Sequence, residues 1–182
     1  MIFEPLPLAG AFRIDLEPRE DERGFFARVF CRDAFAAHGL AAAWTQINTS
    51  FTSRAGTVRG MHFQRPPSAE AKLIKCLRGA LYDVLVDLRA GSPTFGHWTA
   101  LELTAENRRM AYVPKGVAHG FQTLAADTEV LYFHDTDYSA ADEGGVSHAD
   151  PDLAIRWPLP VASLSKRDAA LPPLASVEPI AL

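Results

Sequence analysis

The sequence predicts an all-β fold, a double-sheet jelly roll with short peripheral helices, and three observations predict it. Thirteen Pro and twelve Gly cut the 182 residues into short segments. Inside those segments apolar residues alternate with a period of two more often than they repeat with a helical period. Turn-forming clusters bracket the alternating runs. A chain of this length is expected to form one domain over 1–182, long enough to bury a sizeable core.

The clearest strand covers 80–88, where Tyr82, Val84, Val86 and Leu88 point one way and Asp83 and Asp87 the other. Gly79 precedes it and Ala90-Gly91-Ser92-Pro93 follows it as turn signals. Further strands are predicted at 12–16, 25–30, 45–52, 56–64, 73–77, 96–103, 109–113 and 130–134. Roughly nine short strands in one domain suit a jelly roll. A short helix is expected at 33–38 with Asp33 as N-cap and Gly39 at its end, and a turn at 165–170 capped by Ser165. Pro172, Pro173 and Pro179 predict a loosely attached tail from about residue 172.

An apolar fraction of 48%, a charged fraction of 22% and a net charge of -4 describe an ordinary globule without a nucleic-acid footprint. A few convergent Arg side chains still allow a diphosphate to bind. Cys31 and Cys76 are too few for a disulfide framework, so free buried thiols in a reducing cytoplasm are expected. The start, Met1-Ile2-Phe3-Glu4-Pro5, lacks a basic and then apolar leader, and no apolar run reaches membrane-spanning length.

Alternation in 56–64 places Val58, Gly60, His62 and Gln64 on one face, where Gly60 leaves room for a ligand. A lone strand His is either structural or a proton carrier, and spacing does not decide. Lys72 shares a side with Ile74 and Cys76; it is either a snorkelling strand-end Lys or a cation that stabilises an oxyanion. Tyr132 alternates with Val130 and His134 and is either a core group or a proton donor. His119 lies in Pro114-Lys115-Gly116-Val117-Ala118-His119-Gly120-Phe121, which reads as a turn-rich loop. His62, His119 and His134 raise the question of a metal. The common arrangement needs a second His two residues after the first, where this chain has Gln64, so no metal and no other cofactor is expected.

Seven landmarks in order carry a resemblance over nearly the whole chain: Asp21-Glu22-Arg23-Gly24-Phe25-Phe26, Gln46-Ile47-Asn48, Val58-Arg59-Gly60-Met61-His62-Phe63-Gln64, Ser92-Pro93-Thr94-Phe95-Gly96, the Pro114 segment, Asp150-Pro151 with Trp157-Pro158, and Leu164-Ser165-Lys166-Arg167-Asp168. Together they resemble the dTDP-4-dehydrorhamnose 3,5-epimerase family, sugar-nucleotide enzymes with a cupin-like jelly roll that work without metal. The resemblance implies that His62 is the general base, Asp168 its orienting carboxylate, Lys72 the group facing the keto oxygen and Tyr132 the acid on the opposite face. It implies nucleotide-sugar contacts from Arg23, Phe26, Gln46, Asn48, Arg59, His119, Glu143 and Arg167, with Tyr138 stacking on the base. It also implies a homodimer with exchanged N-terminal strands, and a nucleotide diphosphate 4-keto-6-deoxy sugar as ligand.

Two positions depart from the family pattern. Arg28 stands where Glu is expected at the base end of the nucleotide, and His148 where Trp is usual. The nucleotide base therefore stays open, as does the choice between C3, C5 or both. Two other functions remain: a 3,4-ketoisomerase, which enolises the same kind of sugar, and a sugar-nucleotide-binding module without turnover.

Overall fold

A computed structural model describes residues 1–182. Its strands are β1 (Ile2–Pro5), β2 (Phe12–Asp15), β3 (Arg19–Asp21), β4 (Gly24–Phe26), β5 (Gln46–Thr52), β6 (Val58–Gln64), β7 (Lys72–Arg78), β8 (Ala80–Asp87), β9 (Trp98–Thr104), β10 (Met110–Val113), β11 (Val117–Thr123), β12 (Thr128–His134) and β13 (Glu143–Gly145). Two short helices, α1 (Arg32–Ala37) and α2 (Lys166–Ala169), lie outside the sheets.

The strands form a six-stranded sheet, ordered β1-β2-β10-β7-β12-β5, and a five-stranded sheet, ordered β13-β6-β11-β8-β9. Every pairing within them is antiparallel. These sheets face each other, and the fold is the double-sheet jelly roll that the alternation and turn spacing predict, of the cupin-like form that the resemblance implies. β3 and β4 form a separate hairpin.

Three apolar layers explain why the strands carry hydrophobic residues on both faces. Between the sheets, Ile74, Cys76 and Val130 of the larger sheet meet Leu81, Leu85, Val117 and Phe121 of the smaller. On the outer face of the smaller sheet, Val84, Val86 and Leu88 pack with Met61, Phe63, Leu153, Val177 and Ile180. On the outer face of the larger sheet, Ile14, Leu73, Met110 and Phe133 are covered by Phe35 of α1 and by Leu40. Burying a side chain such as Phe35 contributes about 1.5–3 kcal/mol.

Several expectations need correction. The tail is held firmly: the Ile180 N–H donates to the Leu88 carbonyl at 2.7 Å, Ala90 N–H donates to the Ile180 carbonyl at 2.9 Å, and Ile180 is 1% exposed. Its apolar residues are needed to cover a sheet face, which proline content does not reveal. The segment 114–121 is mostly strand, since β11 starts at Val117 and both neighbours pair with it. The run 25–30 is strand only to Phe26, and β1, β3 and β13 are short strands without a clear alternation signal. α1 begins at Arg32 with Cys31 as an N-cap that makes no side-chain bond, so Asp33 sits in the first turn instead. Cys31 is half-buried and Cys76 buried, both free.

Candidate active site

The interior between the sheets is filled by the apolar layer at one end and opens at the other into a cavity of about 790 Å³. That volume is within the range of sites that enclose a small-molecule ligand.

A bulge in β6 shapes the cavity wall. β11 places His119 opposite His62 and Phe121 opposite Arg59, so two residues of β11 span three of β6. His119 and Phe121 share a face, and Arg59 therefore shares the His62 face, contrary to the strict alternation expected from the sequence. The bulge depends on two glycines in close contact. A Cβ on Gly60, whose φ is +121°, would lie 2.6 Å from the Gly120 Cα, and one on Gly120 would lie 2.8 Å from the Arg59 carbonyl oxygen.

Asp168 arrives from α2 at the far end of the chain. The Ser165 side chain caps this helix by accepting the Asp168 N–H at 3.0 Å, which fixes where the carboxylate points. Asp168 Oδ1 lies 2.7 Å from His62 Nε2, and its Oδ2 accepts the Gly60 N–H at 3.2 Å. Burial alone would raise the Asp168 carboxyl, but the bonds from His62, Gly60 and Ser165 hold it below the usual carboxylate range. It is therefore ionised and accepts a hydrogen bond from the Nε2–H of His62, which leaves the ring lone pair on Nδ1. Burial, joined by the nearby Arg167 and Lys72 charges, holds the imidazole below its ordinary value of 6.5 even though Asp168 acts in the opposite direction. Both effects suit a neutral base beside an anion.

The other sheet supplies the opposite wall. Lys72 begins β7 and contacts Glu70 Oε1 at 3.0 Å; the second oxygen of Glu70 lies 2.7 Å from His134 Nδ1. Tyr132 shares 2.8 Å with the Ser50 hydroxyl, and burial pushes its phenol up to about 12. Back on the sheet that carries His62, His119 Nε2 lies 2.7 Å from Asp83 Oδ1, while the buried Asp83 Oδ2 has no partner.

Polar residues line the mouth. Arg167 donates through NH1 to both oxygens of Glu143, at 2.9 and 2.8 Å, and its NH2 lies 2.9 Å from His62 Nε2. The Tyr138 hydroxyl donates to Glu143 at 2.9 Å, and Gln46 accepts the Tyr138 N–H at 2.9 Å. Gln64, at the position where a second metal-binding His would stand, accepts the Ser139 N–H and donates to the Ser68 and Asp137 carbonyls. Each cavity histidine has its own carboxylate, and no three His, Cys, Asp or Glu side chains converge as a ligand set.

Thus His62, Lys72, Tyr132 and Asp168 line one cavity together with Gln46, Asn48, Arg59, His119, Tyr138, Glu143 and Arg167. Arg23 and Phe26 do not join them: they lie on the β3–β4 hairpin, Phe26 being 67% exposed and Arg23 paired with Asp21. Glu70, Asp83 and Ser50 were not anticipated. Asp83 had a signal, its inward parity on β8, whereas Glu70 precedes its strand and carries none. The arrangement offers a neutral base, a buried cation and a weakly acidic phenol around one enclosed volume, the parts that proton removal beside a carbonyl requires.

Residues 5–176 match the family model described as dTDP-4-dehydrorhamnose 3,5-epimerase. The chain is 42% identical to the dTDP-4-dehydrorhamnose 3,5-epimerase of Sinorhizobium fredii, covering 97% of this chain and 91% of the relative. It is 41% identical to the dTDP-4-dehydrorhamnose 3-epimerase of Streptomyces niveus, over 92% and 81% of the two chains. A crystal structure of the dTDP-6-deoxy-D-glucose-3,5-epimerase of Legionella pneumophila in complex with dTDP-4-keto-L-rhamnose superposes with a TM-score of 0.91 at 36% identity, covering 97% of this chain and 94% of that one. The chain belongs to the dTDP-4-dehydrorhamnose 3,5-epimerase family.

Proposed function

We propose that this protein is an epimerase that inverts C3, C5 or both in a nucleotide-linked 4-keto-6-deoxyhexose, within deoxysugar biosynthesis of the rhamnose type. The observation that carries the reading is the His62–Asp168 dyad lining one cavity with Lys72 and Tyr132. The Legionella relative, bound to a dTDP-linked keto sugar, supports the ligand class.

The C4 ketone acidifies the hydrogens on C3 and C5, because loss of either gives an enolate with its charge on the keto oxygen. His62 Nδ1 takes the proton, and Asp168 stabilises the imidazolium that forms. Lys72 faces the enolate oxygen; one such donor typically lowers the barrier by about 2.7–4 kcal/mol. Tyr132 returns a proton to the opposite face of the carbanion and thereby inverts the centre. In this reading Arg59 and Arg167 grip the diphosphate, Tyr138 stacks on the base, and Gln46, Asn48, His119 and Glu143 position the ligand.

The active unit in this reading is a homodimer of one-domain subunits, residues 1–182, acting in the cytoplasm. Edge strand β5 exposes Ile47 and Phe51, and the β3–β4 hairpin exposes Phe25 and Phe26. Exchange of N-terminal strands would cover both and bring Arg23 and Phe26 to the cavity of the second subunit. Light scattering that finds a monomer at micromolar concentration would contradict the dimer. No helix is long and apolar enough to cross a membrane.

The Streptomyces niveus relative, named for the 3-epimerase reaction, favours C3-only inversion as the second reading. Incubation with a dTDP-linked 4-keto-6-deoxyglucose in deuterated water separates the readings by product NMR. Deuterium at C3 and C5 supports double inversion, and deuterium at C3 alone supports the second reading. A 3-keto isomer, or binding without exchange, contradicts both.

A further inference from the structure

Lys72 opens β7 and His134 closes β12, and the register of the two strands sets them opposite each other. Antiparallel partners share a face, so the cavity wall carries an ammonium and an imidazole side by side. Both are largely out of water: the side chains are 10% and 16% exposed. A buried ammonium without a counter-ion loses its proton readily, because burial penalises the charged form. A neutral amine at this position would be a far weaker partner for an enolate oxygen.

Glu70 meets that need. Its side chain, 8% exposed, reaches between the two bases with one oxygen on each, 3.0 Å to Lys72 Nζ and 2.7 Å to His134 Nδ1. An ammonium has three N–H donors, and one contact to Glu70 leaves others for a ligand. An ionised Glu70 also accepts the Nδ1–H of His134, which fixes the orientation and tautomer of that ring. The other charged or titratable groups around Lys72 are His62 with Asp168 across the cavity, Tyr132 on β12, and Asp135, which accepts the Ala71 N–H and pairs with Lys115. Asp135 and Asp168 thus have partners of their own, and Glu70 is the carboxylate in contact with Lys72.

We infer that Glu70 is a positioning residue of the epimerase reaction, holding Lys72 protonated and aimed at the keto oxygen while it fixes the tautomer of His134. The inference rests on the epimerase reading above. Burial opposes ionisation of Glu70, but the His134 and Lys72 contacts more than offset it and keep the carboxyl below its ordinary range.

The test compares Glu70→Gln, Lys72→Met and the double variant with wild type, following deuterium incorporation into a dTDP-linked 4-keto-6-deoxyglucose from pH 6 to 10. Glu70→Gln preserves shape but not charge. Its kcat is expected to fall about tenfold at pH 7 with KM within about twofold. Its rate should fall further as pH rises, an alkaline limb absent from wild type. The double variant should be no slower than Lys72→Met by more than about twofold, because Glu70 acts through Lys72. A Glu70→Gln enzyme with wild-type kcat and an unchanged pH profile overturns the inference and leaves the epimerase reading standing. So does a full additive loss in the double variant. Absence of exchange in the wild type overturns both.

Discussion

Two aspartates on one strand and one face of β8 are equally hidden from solvent, yet they are built differently. Asp87, at the closed end, accepts bonds from the Arg89 backbone N–H, from Nε and NH2 of Arg89, and from the Ser92 and Thr94 hydroxyls, all between 2.6 and 3.0 Å. Asp83, beside the cavity, contacts only His119, and its other oxygen is unpartnered. Both are 0% exposed. A saturated carboxylate has no bonding capacity left and acts as a brace for the loop after the strand. A half-satisfied one keeps capacity in reserve, and such groups gather where chemistry occurs. Asp168 lies between the two: it is fully used, but one of its partners is the base itself.

Breaking that contrast should produce effects of graded size. The largest is expected for Asp168→Asn, which keeps the shape but presents the wrong partner to His62 Nε2. Exchange should slow by about 10³ to 10⁴ with little change in nucleotide affinity, measured by single-turnover NMR and by titration of dTDP. Asp87→Ala should act on stability instead, costing about 3 kcal/mol by urea unfolding because it leaves the half-buried Arg89 guanidinium and the Ser92 and Thr94 hydroxyls without their acceptor. Its carboxyl is held well below the usual range: burial would raise it, but the Arg89, Thr94 and Ser92 bonds prevail. The stability it contributes is complete above about pH 4 and is lost as pH falls toward its depressed folded value.

Asp83→Asn should do the reverse of Asp87→Ala. Folding should change by less than about 1 kcal/mol while kcat falls about tenfold, through the altered His119 tautomer. A large stability loss at Asp83 with unchanged kcat would erase the distinction between the two aspartates. The smallest effect concerns pH. His62 must be neutral to act, and its depressed value places the acidic limb of kcat/KM below pH 6.5. With Tyr132 near 12, no alkaline limb should appear below pH 10.

The same contrast explains what was legible in the sequence. β8 could be read because its alternation is clean and both of its faces are covered. The Ser165 cap was legible because a helix start needs a side-chain acceptor three residues before the N–H it serves, and that acceptor aims Asp168. Parity alone does not put Arg59 beside His62, because a bulge reverses the alternation, and the Gly60–Gly120 contact that permits it joins residues far apart in the chain. Gly120 makes β11 look like a loop for a related reason, because a strand that must touch another backbone closely carries a turn-like residue there, and Gly116 adds a true turn, at φ +77°, just before the strand. The tail misled in the same way, its prolines masking Val177 and Ile180, whose role is to cover a sheet. Lys72 and Tyr132 were ambiguous from parity, and only the resemblance gave them roles. Glu70 has no periodic signal, since its position follows from the pairing of β7 with β12.

The most direct measurement is solvent deuterium exchange at C3 and C5 of a dTDP-linked 4-keto-6-deoxyglucose by the wild type and by His62→Ala, with dTDP binding measured on both. With His62 as the base, the wild type should exchange and the variant should lose exchange at both centres, by about 10³-fold or more, while binding dTDP within about threefold of wild type. Undiminished exchange in His62→Ala would contradict proton abstraction by His62.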